Sequence, residues 1–164
     1  MKKGTLVLFC GKMGAGKTTK AREITLERGA VLLSEDEWLA ALYPDQISTL
    51  ADYSACSGLL KTPIRALVQS VLSAGVDVVM DFPANTLSQR TWLRSLCAEV
   101  EAPHELFYLD FSDERCLAQI AKRRLEQPDR AKTDTPGMFH LVTGYFEEPS
   151  PEEGFHLIRI SEKG

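Results

Sequence analysis

The 164-residue chain has little that would staple it, anchor it or charge it in one direction. Its four cysteines, Cys10, Cys56, Cys97 and Cys116, form no CxxC pair, and its three histidines, His104, His140 and His156, stand far apart. This spacing excludes a zinc-ligand set and a disulfide scaffold, and leaves the histidines a structural role. No apolar run approaches the roughly 18 residues of a membrane span. The opening MKKGTLVLFCG holds an apolar run of only about five residues before a glycine, unlike a signal peptide. These absences predict a reduced, cytoplasmic chain.

Positive charge is not in excess either. Nineteen Lys plus Arg against 23 Asp plus Glu leave a net charge of −4, which argues against nucleic acid or an anionic membrane as partner. The balance is uneven along the chain. Between 115 and 132, six basic residues (Arg115, Lys122, Arg123, Arg124, Arg130, Lys132) meet two acidic ones (Glu126, Asp129), a local +4 that leaves −8 elsewhere. That segment is either specialised for anions or a solvated helix face. There is no internal repeat, low-complexity tract or linker, and the length predicts one domain over 1–164.

What is present is an alternation of short β-rich runs with helical patterns, which predicts an α/β fold with a parallel sheet covered on both faces. The runs are Thr5 to Cys10, Ala30 to Ser34, Val76 to Asp81, Glu105 to Asp110 and His156 to Ile160. The first is continuously apolar, as a central strand should be, and the last alternates like an edge. Helix starts are expected at Thr62-Pro63, with Gly75 as the stop, at the Thr86/Gln89 capping box, and at Thr135-Pro136 before Phe139, Val142, Tyr145 and Phe146.

Directly after the first run comes Gly11-Lys12-Met13-Gly14-Ala15-Gly16-Lys17-Thr18, a match to GxxxxGK[ST] that opens a helical stretch. Glycines let the backbone curl so that consecutive N–H groups face one phosphate, and a helix N-terminus adds positive potential at the same point. Lys17 is expected to reach the β- and γ-phosphates and the Thr18 hydroxyl to bind Mg²⁺, with Thr19 completing the nucleotide-binding set. ATP and Mg²⁺ are the cofactors this loop implies.

Two acids at strand ends bear on the reaction. Ser34-Glu35-Asp36-Glu37-Trp38 follows the second run, so Asp36 lies where ligands of open α/β sheets bind and is placed to take a proton from a substrate hydroxyl. Ser34 with Glu37 also reads as a capping box, and Glu35 and Glu37 as cap residues. Val76 to Asp81 is a hydrophobic strand ending in an acid, the Walker B arrangement, in which Asp81 is expected to hold Mg²⁺ directly or through water; it reads also as an acid that starts the loop Phe82-Pro83-Ala84-Asn85. Beyond it, Arg90 reads equally as a phosphate or substrate contact and as a solvated helix residue. Trp38 and Trp92 fall on apolar helix faces and read as core.

Ser112 caps a helix running to Lys122-Arg123-Arg124, and a polar, proline-punctuated stretch follows to Thr135. This predicts a lid over about 122–135 that offers an arginine to the transferring phosphoryl group, Arg123 first and Arg130 second.

FCGKMGAGKTTKA, LLSEDEW, VVMDFPANTLSQR and CLAQIAKRR together make the chain similar to the small bacterial AAA-type ATP-binding proteins related to zeta toxin, chloramphenicol phosphotransferase and the kinase domain of polynucleotide kinase. The resemblance implies a five-stranded parallel sheet in the order 2-3-1-4-5. It also implies a general-base role for Asp36, phosphate roles for Lys17 and Thr18, and a lid role for Arg123. Polynucleotide kinase-like sequences place arginines around the base aspartate, whereas here Ser34, Glu35, Trp38 and Leu39 surround it. The expected function is therefore transfer of the ATP γ-phosphate to a hydroxyl of a small molecule. An ATP-dependent binding or regulatory protein and a nucleic-acid 5′-hydroxyl kinase are the alternatives.

Overall fold

The computed structural model describes residues 2–162. Five strands, β1 (Leu6–Gly11), β2 (Val31–Ser34), β3 (Val78–Asp81), β4 (His104–Asp110) and β5 (Leu157–Ser161), form one sheet in the order β2-β3-β1-β4-β5, with every neighbouring pair parallel. This is the order the resemblance implied. Six α-helices connect the strands: α1 (Lys17–Arg28), α2 (Glu35–Leu42), α3 (Leu50–Ser73), α4 (Leu87–Ala98), α5 (Asp113–Glu126) and α6 (Pro136–Thr143). No helix among the described residues is long and apolar enough to cross a membrane.

The two-residue period of a strand sorts the apolar residues onto two faces. Leu6, Leu8 and Cys10 of β1 join Val78, Met80, Leu106 and Tyr108 in one core, roofed by α2, α3 and α4. Val7 and Phe9 join Val79, Phe107 and Leu109 in the other, roofed by α1, α5 and α6. All six residues of β1 are buried, as a continuously apolar run requires of a parallel strand covered on both sides. In β5 the alternation appears as exposed Leu157 and Arg159 against Ile158 and Ile160, which pack on the second core. All four cysteines are free, and Cys10, Cys97 and Cys116 are buried.

Two expectations about helices need correction. Thr62-Pro63 does not start a helix: α3 begins at Leu50 under Thr49, whose hydroxyl accepts from Asp52 N–H at 3.0 Å, and Pro63 lies inside it. A proline there gives up one bond to the carbonyl four residues back. That carbonyl belongs to Leu59, an exposed residue. Burial of Leu60, Ile64, Val68 and Leu72 against the sheet holds the helix through the break. Helix α6 stops at Thr143, so Tyr145 and Phe146 lie beyond it. Phe146 stacks obliquely on Tyr108, their centroids 6.1 Å apart. Gly75 has φ +86 after α3, and the Thr86/Gln89 capping box is complete.

Candidate active site

The strand order puts β1 between β3 and β4, so connections leave in opposite directions from neighbouring strands and a crevice opens at their carboxyl ends. The loop Gly11 to Thr18 lies there. Gly11 N–H donates to Asn85 Oδ1 at 2.9 Å, tying the loop to the segment after β3. Gly14 and Gly16 have φ of +81 and +98, in the left-handed region. At Gly14 a β-carbon would come within 2.6 Å of the Cys116 carbonyl oxygen and 2.9 Å of Ile120 Cγ1, so α5 packs directly against the loop.

Helix α1 starts at Lys17 with Gly16 as N-cap, and no side chain among the described residues caps it; its first turn holds no acid. Its leading N–H groups and the dipole therefore face the crevice, the arrangement that suits a phosphate. The Lys17 ammonium bends back and donates to the Gly11 carbonyl and, at 3.0 Å, to the Lys12 carbonyl. Burial pulls its pKa down to about 8, while the charges of Cys10 and Asp81 oppose that shift. Lys12 is held in an ion pair with Asp113 at 2.6 Å. Met13 packs against the second core, and Thr19 is exposed on α1.

Thr18 Oγ1 donates to Asp81 Oδ2 at 2.8 Å. The two residues expected to hold Mg²⁺ thus meet, one from the start of α1 and one from the end of β3. Their hydroxyl and carboxylate oxygens are the hard donors that this ion prefers.

Asp36 occupies the first turn of α2 beside β2, where Ser34 pairs in register with Asp81. Although the residue is exposed, protein atoms crowd its carboxyl, and that desolvation together with the Asp81 charge raises its pKa; Arg130, Arg123 and Lys17 pull it the other way. Ser34 supplies half of the expected box, accepting from Glu37 N–H at 3.3 Å. Glu35 does more than cap: it is 4% exposed, accepts a hydrogen bond from Tyr53 Oη, and accepts another from Ser57 Oγ at 2.8 Å.

Arg123 and Arg130 converge on Asp134, which no sequence motif marks. Asp134 is 1% exposed. Arg130 donates to both its oxygens, at 2.7 and 3.4 Å, and Arg123 Nε lies 3.2 Å from Oδ2 as a charge contact without hydrogen-bond geometry. In sequence Asp134 is one acid after a basic run; the 3-10 turn Pro128–Lys132 brings it back, four residues on, to Arg130. Its recognisable trace was that spacing alone.

Arg90 touches neither crevice nor solvent. It is fully buried on α4, donating to Glu153 at 2.6 and 3.4 Å and to the Ala84 carbonyl at 2.9 Å. A guanidinium inside an apolar core is sustained by such a bidentate partner. Glu153 arrives from 63 positions away, beyond the reach of a local reading. Of the histidines, His104 Nε2 accepts from His156 N–H at 3.0 Å, and His140 packs edge-on against Phe139.

Comparison with known proteins agrees with this geometry. The sequence model of a family described as an AAA domain matches residues 6–137. An adenylate kinase of Jannaschia sp. (strain CCS1) is 27% identical over 161 residues, covering 92% of this chain and 84% of its own. Among solved structures, the Mycobacterium tuberculosis APS kinase CysC in complex with AMPPNP and APS superposes with a TM-score of 0.67 at 19% identity, over 100% of this chain and 91% of its own. Chaetomium thermophilum Kti12 in complex with ADP-AlF3 gives 0.67 at 20%, over 96% and 89%. At those identities the structural likeness speaks for the fold. The family match spans β1, the glycine loop, both strand-end aspartates and the two converging arginines, and the chain belongs to the AAA domain family of P-loop proteins.

Proposed function

We infer that the chain is an ATP-dependent kinase that moves the γ-phosphoryl group of ATP onto a hydroxyl of a small molecule. The observation that carries this reading is Asp36: a carboxyl of raised pKa at the crevice, within the field of Lys17, Arg123 and Arg130 and beside the Thr18–Asp81 pair. An adenylate kinase among the relatives and an APS kinase among similarly folded proteins support a phosphotransferase.

Asp36 takes the acceptor proton as the acceptor oxygen bonds to the γ-phosphorus and the bond from that phosphorus to the β,γ-bridging oxygen breaks, leaving ADP. The loop amides and Lys17 hold the phosphates, for which Lys17 must exchange the carbonyls of Gly11 and Lys12. Thr18 and Asp81 would hold Mg²⁺, which when bound neutralises charge on the β- and γ-oxygens. Arg123, with Arg130 beside it, meets the charge that develops on the transferring group, as a lid over about 122–135. Such an arginine is worth on the order of 10³ to 10⁵ in rate.

The test is Asp36→Asn in ATP-consumption assays against a metabolite and antibiotic panel, with mass detection of phosphorylated product. Turnover should fall by about 10² to 10⁴ with ATP affinity nearly intact. Undiminished transfer by this variant sinks the role of Asp36, and ATP use with no phosphorylated product from any acceptor sinks the kinase.

A further inference from the structure

A cavity of about 180 Å³ opens beside the first turn of α2, between α3 and the start of α4. One wall is polar: Glu35, with Tyr53 and Ser57 donating to its two oxygens. Another part of the lining is aromatic, Trp92 and Phe82 with ring centroids 6.4 Å apart. Cavities of about 150 Å³ take a benzene ring, so this one, which opens to the surface, has room for a six-membered ring. No arginine lines it, and the ammonium of its one lysine, Lys61, lies 5.5 Å over the Trp92 ring. A phosphate on the ligand would thus meet Glu35 from inside, with Asp36 and Asp81 close enough to act on that same carboxyl, and without the forked donors that phosphate recognition uses.

Resting on the kinase reading above, we propose that this cavity is the acceptor site and that the acceptor is a neutral, polyhydroxylated single ring carrying no phosphate. Paired hydroxyls of such a ring donate to Glu35 and exchange with Tyr53 and Ser57, while its C–H face lies on Trp92 and Phe82. Burial raises the Glu35 pKa, with the Tyr53 and Ser57 hydrogen bonds opposing it. An incoming hydroxyl pair acts in the same direction as those two bonds.

The experiment is calorimetric titration of the full chain, with a non-hydrolysable ATP analogue and Mg²⁺, using myo-inositol, D-glucose and D-glucose 6-phosphate as probes. At least one neutral polyol should bind at one site, with glucose 6-phosphate at least about tenfold weaker than glucose. Losing a charge-assisted hydrogen bond predicts that Glu35→Gln weakens polyol binding about ten- to hundredfold while analogue affinity holds. Ser57→Ala, a milder change, should weaken it severalfold and guards against misfolding of the first variant. Tighter binding of the phosphorylated sugar, no binding of either polyol, or unchanged affinity in both variants overturns the proposal. Asp36→Asn separates the two readings: polyol binding that survives there without transfer supports the cavity and the base together. Asp36-dependent phosphorylation of anionic acceptors keeps the kinase and discards this cavity chemistry. Polyol binding with no phosphorylated product keeps the site and discards the kinase.

Discussion

Gly14 carries two constraints that no other residue type satisfies at once, a left-handed φ and contact with the Cys116 carbonyl. Gly14→Ala therefore pushes the loop off α5, and nucleotide affinity should fall by more than tenfold while the far-ultraviolet circular dichroism stays that of the parent. Asp134 offers a different reading of the crevice. Its carboxylate is buried under Arg123 and Arg130, which are themselves partly exposed, so Asp134→Asn removes the charge on which both guanidinium groups converge and lets them shift. A misplacement of about 1 Å in a positioned group can cost on the order of 10² in rate. The expected outcome is a fall of that size in kcat with little change in KM for ATP, measured by steady-state kinetics; an unchanged kcat denies Asp134 its positioning role.

Helix α3 shows how burial overrides a local signal. Thr62-Pro63 carries every mark of a helix start, yet Leu60, Ile64, Val68 and Leu72 recur every four residues and all are buried. The three of these after Pro63 were visible in the sequence; the turns before it were not, because Thr49 and Asp52 are ordinary surface residues until the cap is formed. Ile64 is fully buried on the face that meets β1 and β3. Ile64→Ala should cost about 2–5 kcal/mol by denaturant titration. Strand ends, the glycine loop and the Thr86 capping box depend on neighbours within a few residues, and so were readable. Only the capping position of Glu35 is legible locally, because its partners, Tyr53 and Ser57, lie 18 and 22 positions on, across a helix whose start is itself hidden.

Across the whole molecule, the Arg90–Glu153 pair joins α4 to the segment just before β5, and with it the edge of the sheet. Burial pushes the Glu153 pKa upward, but the Arg90 and Ser150 hydrogen bonds and the Arg90 charge outweigh it and hold the carboxyl below its ordinary value. A carboxyl so depressed adds stability above its unfolded pKa, near 4.3, and that part is lost as pH falls through the folded value. Glu153→Ala leaves a buried guanidinium without its partner and should cost about 3–5 kcal/mol at neutral pH. The variant's loss relative to the parent should shrink in acid; thermal unfolding of both proteins from neutral pH down to acid reads this, and a constant gap refutes the coupling.

Helix α5 packs on the glycine loop and carries Arg123 toward its other end. Cys116 and Ile120 abut the turn at Gly14, and Arg123 lies one step further along the same side. At 1.5 Å per residue, the arm from Cys116 to Arg123 is about 10 Å long. A hydrogen-bonded rod of that length barely flexes. A tilt of the helix where it meets the Gly14 turn would carry through to the guanidinium of Arg123, so that, on the kinase function proposed above, the phosphate loop and the lid cation move as one body.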